Sequence, residues 1–496
     1  MSPDPDWVRR TDVALRPDRA RVVSALFLPG QETVTAGESR SAQVVERVLA
    51  LSDDDVAAEL DELARAFDER HRDLRTVWAE HFALVEHRVP DPRALGAARR
   101  LLVGAAFTHE VAIEGAALCN PSIVPHPDQA GLAPGATRFV LTLRAVAEGH
   151  VSGAELRAGT IDAAGSIMLD AAPRFAVRAD ARPASYSRAG FEHQLDDFGG
   201  DLTNARFVLA SLGDTFDRDE LDRALAALRE QKLTRGAAVR TIELFERMAD
   251  CSYAVEFPPD SALAERVLLP RGPAESHGIE DVRMVRFDSG EYVGTYSAYD
   301  GYRVYMQMLR TWDFVSFTAT ALSGPGTRDK GLALFPRAVG GRHLALARAG
   351  RESNGVCASA DLLRWDEPVP VQRPEQGWEA VQLGNCGSPI ETEQGWLVLT
   401  HGVGPMRVYS IGAVLLDLED PTVVVGRLRR PLLTPAPDER SGYVPNVVYS
   451  CGAMVHGRTL VLPYGRSDTT TGIALVDLDA LLTELRTGAP STKEDR

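Results

Sequence analysis

The sequence reads Ser276-His277-Gly278-Ile279-Glu280-Asp281-Val282-Arg283 directly before the strand-like run Met284–Tyr299. The glycine lets the backbone come close to a ligand, and two adjacent acids follow it at the turn. Arg283, two residues after the second acid, can bias the proton of one carboxylate. The stretch therefore predicts an acid-catalysis element at the start of a strand, with Glu280 and Asp281 as its acids.

Four candidate cations lie at or near the ends of later strand-like segments: Arg328, Lys330, Arg348 and His401. Glycoside hydrolysis needs two carboxylates, one as the acid and one as the base or nucleophile. A phosphorolytic enzyme needs only the acid, because phosphate is itself the nucleophile and is held in line by cations. The pattern therefore favours chemistry on a neutral substrate with an anionic co-substrate.

Short β-rich runs separated by Gly, Pro, Asp and Asn fill residues 120–170 and about 264–480. Such regular spacing predicts a mainly β fold, as a sandwich, barrel or propeller, rather than alternating βαβ units. Several runs share the order strand, Gly or Asp, strand, which favours a propeller and leaves the sandwich open. The predicted strands include Arg138–Ala147, Glu291–Ala298, Leu344–Ala347, Trp396–His401, Ala413–Leu418 and Thr459–Tyr464.

Two regions are predicted to be helical. Ser52 precedes three aspartates and is a candidate N-cap, and Asp217 and Glu220 have the spacing of a capping box. The helices divide the chain into a helical N-terminal extension (1–105), a β domain (106–480) with a helical insertion at about 188–250, and a polar C-terminal tail (481–496).

Composition excludes several classes of function. A net charge of −16 argues against nucleic acid and anionic membranes as partners. The sequence contains no apolar run of ~20 residues and no secretory signal, and its five cysteines show no CxxC spacing. We therefore expect a cytoplasmic protein without a metal site or disulfides. Phosphate-binding P-loops, GxSxG elbows and HExxH motifs are also absent from the sequence.

Three further residues are ambiguous when each is taken alone. Asn120 begins an Asn-Pro turn and Asp468 closes the last strand pair, and each taken alone is better explained by turn formation than by ligand binding. Arg144 lies inside an apolar strand, so its charge must be paired or must face a cavity.

The β portion as a whole resembles glycoside hydrolase family 130, the family of mannoside phosphorylases and mannosidases. The matching motifs occur in order and cover about half of the chain. They are Asn120-Pro121-Ser122, Leu143-Arg144-Ala145, Gly278–Arg283, Lys330–Pro336, Ser388–Trp396, His401-Gly402, Ile411–Asp417, Val444–Gly452 and Tyr464–Asp468.

This resemblance implies a five-bladed β-propeller with its active site in the central funnel. It implies Asp281 as the general acid, acting through a hydroxyl of the bound mannose, with Glu280 and Arg283 tuning or orienting it. Mannose would be held by Asn120, Arg144 and Asp468. Inorganic phosphate, as co-substrate and without any other cofactor, would be held by Arg328, Lys330, Arg348, His401 and Tyr409.

The expected reaction is inverting phosphorolysis of a β-mannoside, which releases α-mannose 1-phosphate. Two alternatives stay open: a β-mannosidase of the same family, with Glu391 as its base, and a non-catalytic mannan-binding propeller. Linkage depends on loops around the funnel; among β-1,2, β-1,3 and β-1,4 we expect β-1,2. The helical additions would cap the funnel or form a homodimer interface, and both share the same amphipathic signature.

Overall fold

A computed structural model describes residues 4–29, 39–171, 175–198, 202–230 and 235–488 of the chain. The described part is mainly β-structure, with helices in two regions. The first 112 residues form β1 (Val8–Leu15), β2 (Val22–Leu26), α1 (Arg40–Leu49), α2 (Asp53–Phe67), α3 (Leu74–Val85), α4 (Ala97–Ala106) and β3 (Thr108–Ala112).

The N-terminal segment is therefore not wholly helical, and the two strands β1 and β2 correct that prediction. The polar run Arg9–Asp12 interrupts the apolar residues of β1, and pairing with a distant strand decides its conformation. The predicted N-cap of α2 is confirmed, because the Ser52 side chain accepts a hydrogen bond of 3.1 Å from the Asp55 N–H. Val56 and Leu60 then bury the apolar face of α2.

The next part of the chain holds strands and then a helical segment. Its elements are β4 (Ala117–Pro125), β5 (Thr137–Val146), β6 (Ser152–Ile161), β7 (Ile167–Leu169), β8 (Val177–Arg178), β9 (Asp180–Arg182), β10 (Tyr186–Ser187), α5 (Arg188–Phe198), α6 (Leu202–Ala210), β11 (Thr215–Phe216), α7 (Arg218–Glu230), α8 (Arg235–Asp250), β12 (Tyr253–Glu256) and β13 (Arg266–Leu268). Helices α5–α8 occupy the segment predicted as an insertion and share an apolar core of their own. The capping box of α7 is confirmed, because Asp217 and Glu220 exchange backbone-to-side-chain hydrogen bonds of 2.8 and 2.9 Å.

The remaining elements are almost entirely strands. They are β14 (Gly278–Arg286), β15 (Tyr292–Tyr299), β16 (Val304–Thr311), β17 (Ser316–Ala321), β18 (Ala333–Leu334), β19 (His343–Ala349), β20 (Ser353–Ser359), β21 (Val369–Gln372), β22 (Gln382–Asn385), β23 (Ile390–Thr392), β24 (Gly395–Val403), β25 (Tyr409–Leu416), β26 (Val424–Arg427), β27 (Val448–Tyr449), β28 (Met454–His456), β29 (Thr459–Arg466), β30 (Thr470–Asp477) and α9 (Leu478–Thr487).

Helix α9 corrects the prediction of a polar tail over 481–496. Leu481, Leu482 and Leu485 are buried on one face of this helix, against the last two sheets. Residues 489–496 of the predicted tail lie outside the described residues.

Consecutive strands pair into antiparallel groups. β4–β5–β6 and β14–β15–β16–β17 form the first two groups and are joined into one sheet by the single parallel pair Gly278–Ser152. β18–β21 form the third group and β22–β26 the fourth. β27–β30 form the fifth group, to which β1 adds an antiparallel strand beside β30.

Apolar side chains fill the space between each group and the next. A further cluster joins the fifth group to the first. Its buried members on the two sides include Leu118, Ile123, Phe139 and Leu141, and Val461, Ile473 and Leu475. Packing between successive strand groups therefore leads from the fifth group back to the first.

Three 3-10 turns place a buried glutamate shortly before the first strand of a group: Pro273–Glu275, Gly377–Glu379 and Pro437–Glu439. In each turn the carboxylate accepts a hydrogen bond from a backbone N–H group of the same turn or of a residue just before it. The three bonds are Arg271 N–H to Glu275 (2.8 Å), Glu375 N–H to Glu379 (3.0 Å) and Ala436 N–H to Glu439 (3.1 Å). The same turn thus recurs between groups.

Candidate active site

A cavity of ≈ 220 Å³ lies where the strand groups meet. All five groups, or the turns beside them, contribute to its wall. The lining residues are Asn120, Arg144, Asp281, Arg283, Lys330, Gly331, Arg348, Asn385, His401, Arg407, Tyr409, Val444, Val447, Tyr449 and Asp468. Nine of the eleven residues predicted for the site are among them.

Two bulges and one turn direct three of these side chains into the cavity. Asn120 lies at a bulge of β4 and Asp281 at a bulge of β14, with φ of 49° and 57°. Asp468, in the turn between β29 and β30, has φ of 46°. Non-glycine residues rarely adopt this left-handed conformation, and bulges turn a side chain away from the ordinary alternation of a strand.

Asp281 is the most strongly connected carboxylate of the cavity. Its Oδ1 accepts a hydrogen bond of 2.7 Å from Asn120 Nδ2 and lies 3.8 Å from a guanidinium nitrogen of Arg144. Burial alone would raise the pKa of Asp281, but Arg144, Arg283, the Asn120 bond and Lys330 together lower it below its ordinary value. Asp281 is therefore ionised in the empty cavity.

Glu280 lies behind Asp281 and bridges two cations. It accepts bonds of 2.7 Å from Arg144 and 2.5 Å from Lys330. Glu280 itself is buried and does not line the cavity. It therefore positions the two cations rather than meeting a ligand.

The pKa of Asp468 is shifted in the opposite direction from that of Asp281. Burial and the nearby charge of Asp281 raise the pKa of Asp468 to about 6. The pKa values of the two carboxylates in this cavity are therefore shifted in opposite directions.

His401 differs from its predicted role as a cation. Burial, followed by the charges of Arg348 and Arg283, lowers the pKa of His401 to about 3, so the imidazole is neutral. Its Nδ1 donates to the Asn385 carbonyl at 3.0 Å, which leaves Nε2 as a hydrogen-bond acceptor. The ring stacks on Tyr409 with centroids 5.9 Å apart and an interplanar angle of 13°.

Arg283 is fully buried beneath the cavity. It donates to the Tyr449 hydroxyl at 2.6 Å and to the backbone oxygen of Asp281 at 3.0 Å. These bonds hold the bulge that carries Asp281. Arg283 therefore fixes the backbone that carries Asp281 from below the cavity.

Arg328 is the predicted site residue that the structure places elsewhere. Its side chain is 72% exposed, lies 3.7 Å from Glu367 and lines a separate cavity beneath α5 and α8. The 3-10 turn Pro325–Thr327, which precedes it, directs it away from Lys330. The prediction of Arg328 in the phosphate site is therefore wrong in geometry.

Glu391, the predicted base of a hydrolase, also lies outside the cavity. Its carboxylate is bound on both oxygens by the exposed Arg337, at 2.8 and 2.5 Å. Period-two alternation on β23 places it on the outer surface of the fourth group.

Arg407, Asn385 and Tyr449 line the cavity and were not predicted. Asn385 lies in the Gly384–Gly387 stretch whose glycines suggest a close backbone approach, so a signal existed for it. Arg407 lies in the turn between β24 and β25, and its local sequence carries no such signal.

The cavity carries more positive charge than its carboxylates neutralise. Five cations, Arg144, Arg283, Lys330, Arg348 and Arg407, line it. Three carboxylates, Asp281, Asp468 and the bridging Glu280, oppose them. The excess of about two positive charges lies in a chain whose net charge is −16. It matches a dianion such as hydrogen phosphate.

Among the described residues, no three His, Cys, Asp or Glu side chains are arranged to hold a metal ion. None of the described helices combines the length and apolar character needed to cross a membrane. All five cysteines are buried and unpaired.

Comparison with known proteins identifies the family. The profile of glycoside hydrolase family 130, described as beta-1,4-mannooligosaccharide phosphorylase, matches residues 248–487. The chain is 35% identical over 211 residues to the 1,2-beta-oligomannan phosphorylase of Thermoanaerobacter sp. (strain X514), covering 41% of this chain and 70% of the relative. It is 32% identical over 248 residues to the Beta-1,2-mannobiose phosphorylase of the same organism, covering 47% and 79%.

The chain therefore belongs to glycoside hydrolase family 130. A solved structure of the Beta-1,2-Mannobiose phosphorylase from Listeria innocua aligns with 75% of this chain and 92% of its own, at 22% identity and a TM-score of 0.47. The matched range 248–487 contains the cavity residues from Asp281 to Asp468, whereas Asn120 and Arg144 precede it.

Proposed function

We propose that this chain is an inverting β-mannoside phosphorylase that uses inorganic phosphate to release α-mannose 1-phosphate, with β-1,2-linked mannooligosaccharides as substrates. The observation that carries the proposal is one cavity in which a buried, hydrogen-bonded carboxylate, Asp281, faces an excess of cations. The relatives named above act on β-1,2-linked mannosides or oligomannan, which supports the linkage.

On the sugar side, Asn120, Arg144 and Asp468 bind mannose hydroxyls and Asp281 supplies the proton. The proton passes through a mannose hydroxyl to the glycosidic oxygen as the bond to the anomeric carbon breaks. Asp281 must be protonated for this step. Bound phosphate raises the pKa of Asp281, since it neutralises the cations that keep the carboxylate ionised in the empty cavity.

On the phosphate side, Lys330, Arg348, His401 and Tyr409 hold the nucleophile. Arg348 and Lys330 supply charge, whereas the neutral His401 accepts the hydrogen of the protonated phosphate oxygen through Nε2. An unprotonated phosphate oxygen then attacks the anomeric carbon from the face opposite the leaving oxygen, which inverts the configuration.

Phosphorolysis fits the cavity better than hydrolysis. A hydrolase needs a second carboxylate as the base for water. Glu391, predicted for that role, is bound to Arg337 on the surface, and Asp468, the other carboxylate of the cavity, is assigned to a mannose hydroxyl. Glu280 is bound to two cations behind Asp281. The positive excess is suited to an anionic nucleophile rather than to water.

The architecture that we propose is a five-bladed β-propeller with this cavity in its central funnel. Five antiparallel groups, apolar packing that leads from the fifth group back to the first, and the recurring glutamate turns support it. β1 would complete the last blade from the N-terminus, so the propeller domain would include residues 8–15 as well as α9.

We also propose that the helical regions lie beside the funnel or form a homodimer interface, and that the protein is cytoplasmic. α8 approaches the β15–β16 turn, where Arg247 lies 3.4 Å from Asp300, which supports a role beside the funnel. A homodimer through these helices would be tested by sedimentation. Five buried, unpaired cysteines suit the cytoplasm that we propose.

The test is to incubate the purified chain with β-1,2-, β-1,3- and β-1,4-mannobiose, with and without phosphate. We expect α-mannose 1-phosphate from the β-1,2 disaccharide only when phosphate is present. Free mannose released at the same rate without phosphate would make the protein a hydrolase. No turnover of any mannoside would favour a binding protein.

A further inference from the structure

We propose that Arg407 is a phosphate-binding residue at the mouth of the cavity, taking the place that the sequence suggested for Arg328. The inference rests on the proposed function, because it extends the site of the same co-substrate.

Arg407 belongs to the same column of side chains as two predicted phosphate residues. It lines the cavity from the turn between β24 and β25, and its guanidinium carbon lies 6.0 Å from the centroid of the Tyr409 ring. Tyr409 also stacks on His401, so Arg407, Tyr409 and His401 follow one another in the column. An anion held by Tyr409 and His401 is therefore within reach of the Arg407 side chain.

The backbone of this turn is unusual in a way that directs Arg407. Met406 and Arg407 are two successive non-glycine residues with left-handed φ angles of 59° and 55°. Met406 is 88% exposed, whereas Arg407 turns back to line the cavity. Strained backbone of this kind persists mainly where the surroundings impose it or function uses it.

Arg407 also has charge available for a ligand. Arg144 and Lys330 are engaged by Glu280, and Arg283 by Tyr449 below the cavity. Of the five cavity cations, Arg283, Arg348 and Arg407 have no carboxylate within ion-pair distance among the described residues, and Arg283 is buried below the cavity. Arg348 and Arg407 therefore supply the uncompensated positive charge of the cavity.

An anion explains this arrangement better than a sugar does. A mannose ring is neutral and would leave both guanidinium groups unbalanced, whereas hydrogen phosphate accepts from each of them and cancels the excess. Arg407 is exposed at the mouth, so it also meets an incoming anion first and draws it inward. Its charge acts on Asp468 as well, which places it beside the proposed mannose site.

The test compares Arg407→Ala and Arg407→Lys with Arg303→Ala. Arg303 is an exposed arginine in the equivalent turn between β15 and β16 and does not line the cavity. We expect Arg407→Ala to raise the KM for phosphate by roughly tenfold or more, as for loss of a charge-assisted hydrogen bond. The KM for β-1,2-mannobiose should change less than ~3-fold. Lysine should restore part of the effect, and Arg303→Ala should match the wild type.

Calorimetric titration of inorganic phosphate into each protein, without sugar, separates this inference from the proposed function. Weaker phosphate binding by Arg407→Ala than by the wild type would support the inference. A wild type that binds phosphate but releases no mannose 1-phosphate would contradict only the proposed function. Unchanged phosphate affinity, or a higher KM for mannobiose alone, would overturn the inference. A wild type that binds no phosphate would overturn both. Thermal melting verifies that the variants are folded.

Discussion

Asn120 and Asp281 meet across two strands that carry the same irregularity. The Asn120 amide donates a hydrogen bond of 2.7 Å to the Asp281 carboxylate, and both residues lie at bulges with left-handed φ angles. Each bulge turns its side chain out of the strand alternation, so that the two face one another inside the cavity. The acid is thus aimed by its own strand and held by the neighbouring one.

Asp281→Asn should abolish most turnover without unfolding the protein. The amide has nearly the same shape but cannot supply a proton, and loss of a general acid typically costs ~10²–10⁴-fold in rate. Release of mannose 1-phosphate is the measurement. Glu391→Gln is the matched control, because this carboxylate is bound to Arg337 outside the cavity and should be dispensable. Near wild-type turnover by Asp281→Asn would show that the acid lies elsewhere.

Arg348→Ala should weaken phosphate far more than sugar. Arg348 lines the cavity without a carboxylate partner, so its loss should raise the KM for phosphate by ~10–100-fold. Initial rates at varied phosphate and varied mannobiose measure the two constants. Arg342→Ala removes an exposed arginine, paired with Asp366, from just before the same strand, and serves as the control. Equal effects on both substrates would contradict a phosphate role for Arg348.

The strand pattern and most of the site are readable from sequence because both rest on local chemistry. Continuous apolar runs bounded by turn residues mark strands such as β5 and β24 without knowledge of their partners. β1 was not predicted because the polar run Arg9–Asp12 breaks its apolar pattern and its partner strand, β30, is distant in sequence. Helix α9 was not predicted because it is short and follows a strand directly.

The errors at the site have a common physical origin. Whether a side chain points into a cavity depends on bulges and turns, where the alternation of an ordinary strand does not hold. Arg328, two residues before Lys330, points to another cavity, whereas Arg407 enters through a left-handed turn that its sequence does not signal. The neutrality of His401 depends on burial among arginines that are distant in sequence.

Gly384→Ala should impair phosphate binding by displacing His401. A Cβ at position 384 would overlap the imidazole, which cannot retreat because Tyr409 and Tyr449 pack on it. We expect a higher KM for phosphate and a loss of ~1–3 kcal/mol in the free energy of unfolding. The control is Gly377→Ala, where an added Cβ meets nothing within 4 Å. A fully active, fully stable Gly384→Ala would argue that His401 is free to move.

Phosphate should shift the pH dependence of turnover upward. In the empty cavity the surrounding cations hold the pKa of Asp281 below its ordinary value, despite burial. Bound phosphate opposes those cations, so the pKa of Asp281 rises and the acid stays protonated to higher pH. The alkaline limb of the rate profile should therefore lie at higher pH with saturating phosphate than with limiting phosphate. Coincident limbs would contradict electrostatic coupling between the two sites.

Asp468→Asn should stabilise the protein while it reduces activity. Burial and Asp281 raise the pKa of Asp468 to about 6, so between its ordinary value and 6 the folded state binds more protons than the unfolded state. The free energy of unfolding therefore falls as pH rises through that window, and the ionised Asp468 is a cost at pH 7. Removing its charge should add ~1–3 kcal/mol at pH 7 and little at pH 4, since a shift of two pKa units corresponds to ~3 kcal/mol. Urea unfolding at both pH values measures this difference, and mannobiose phosphorolysis should fall because a mannose contact is lost. A variant equally destabilised at both pH values would show that Asp468 contributes mainly hydrogen bonds to the fold, whereas stabilisation confined to pH 7 would show that its charge is retained at the expense of stability.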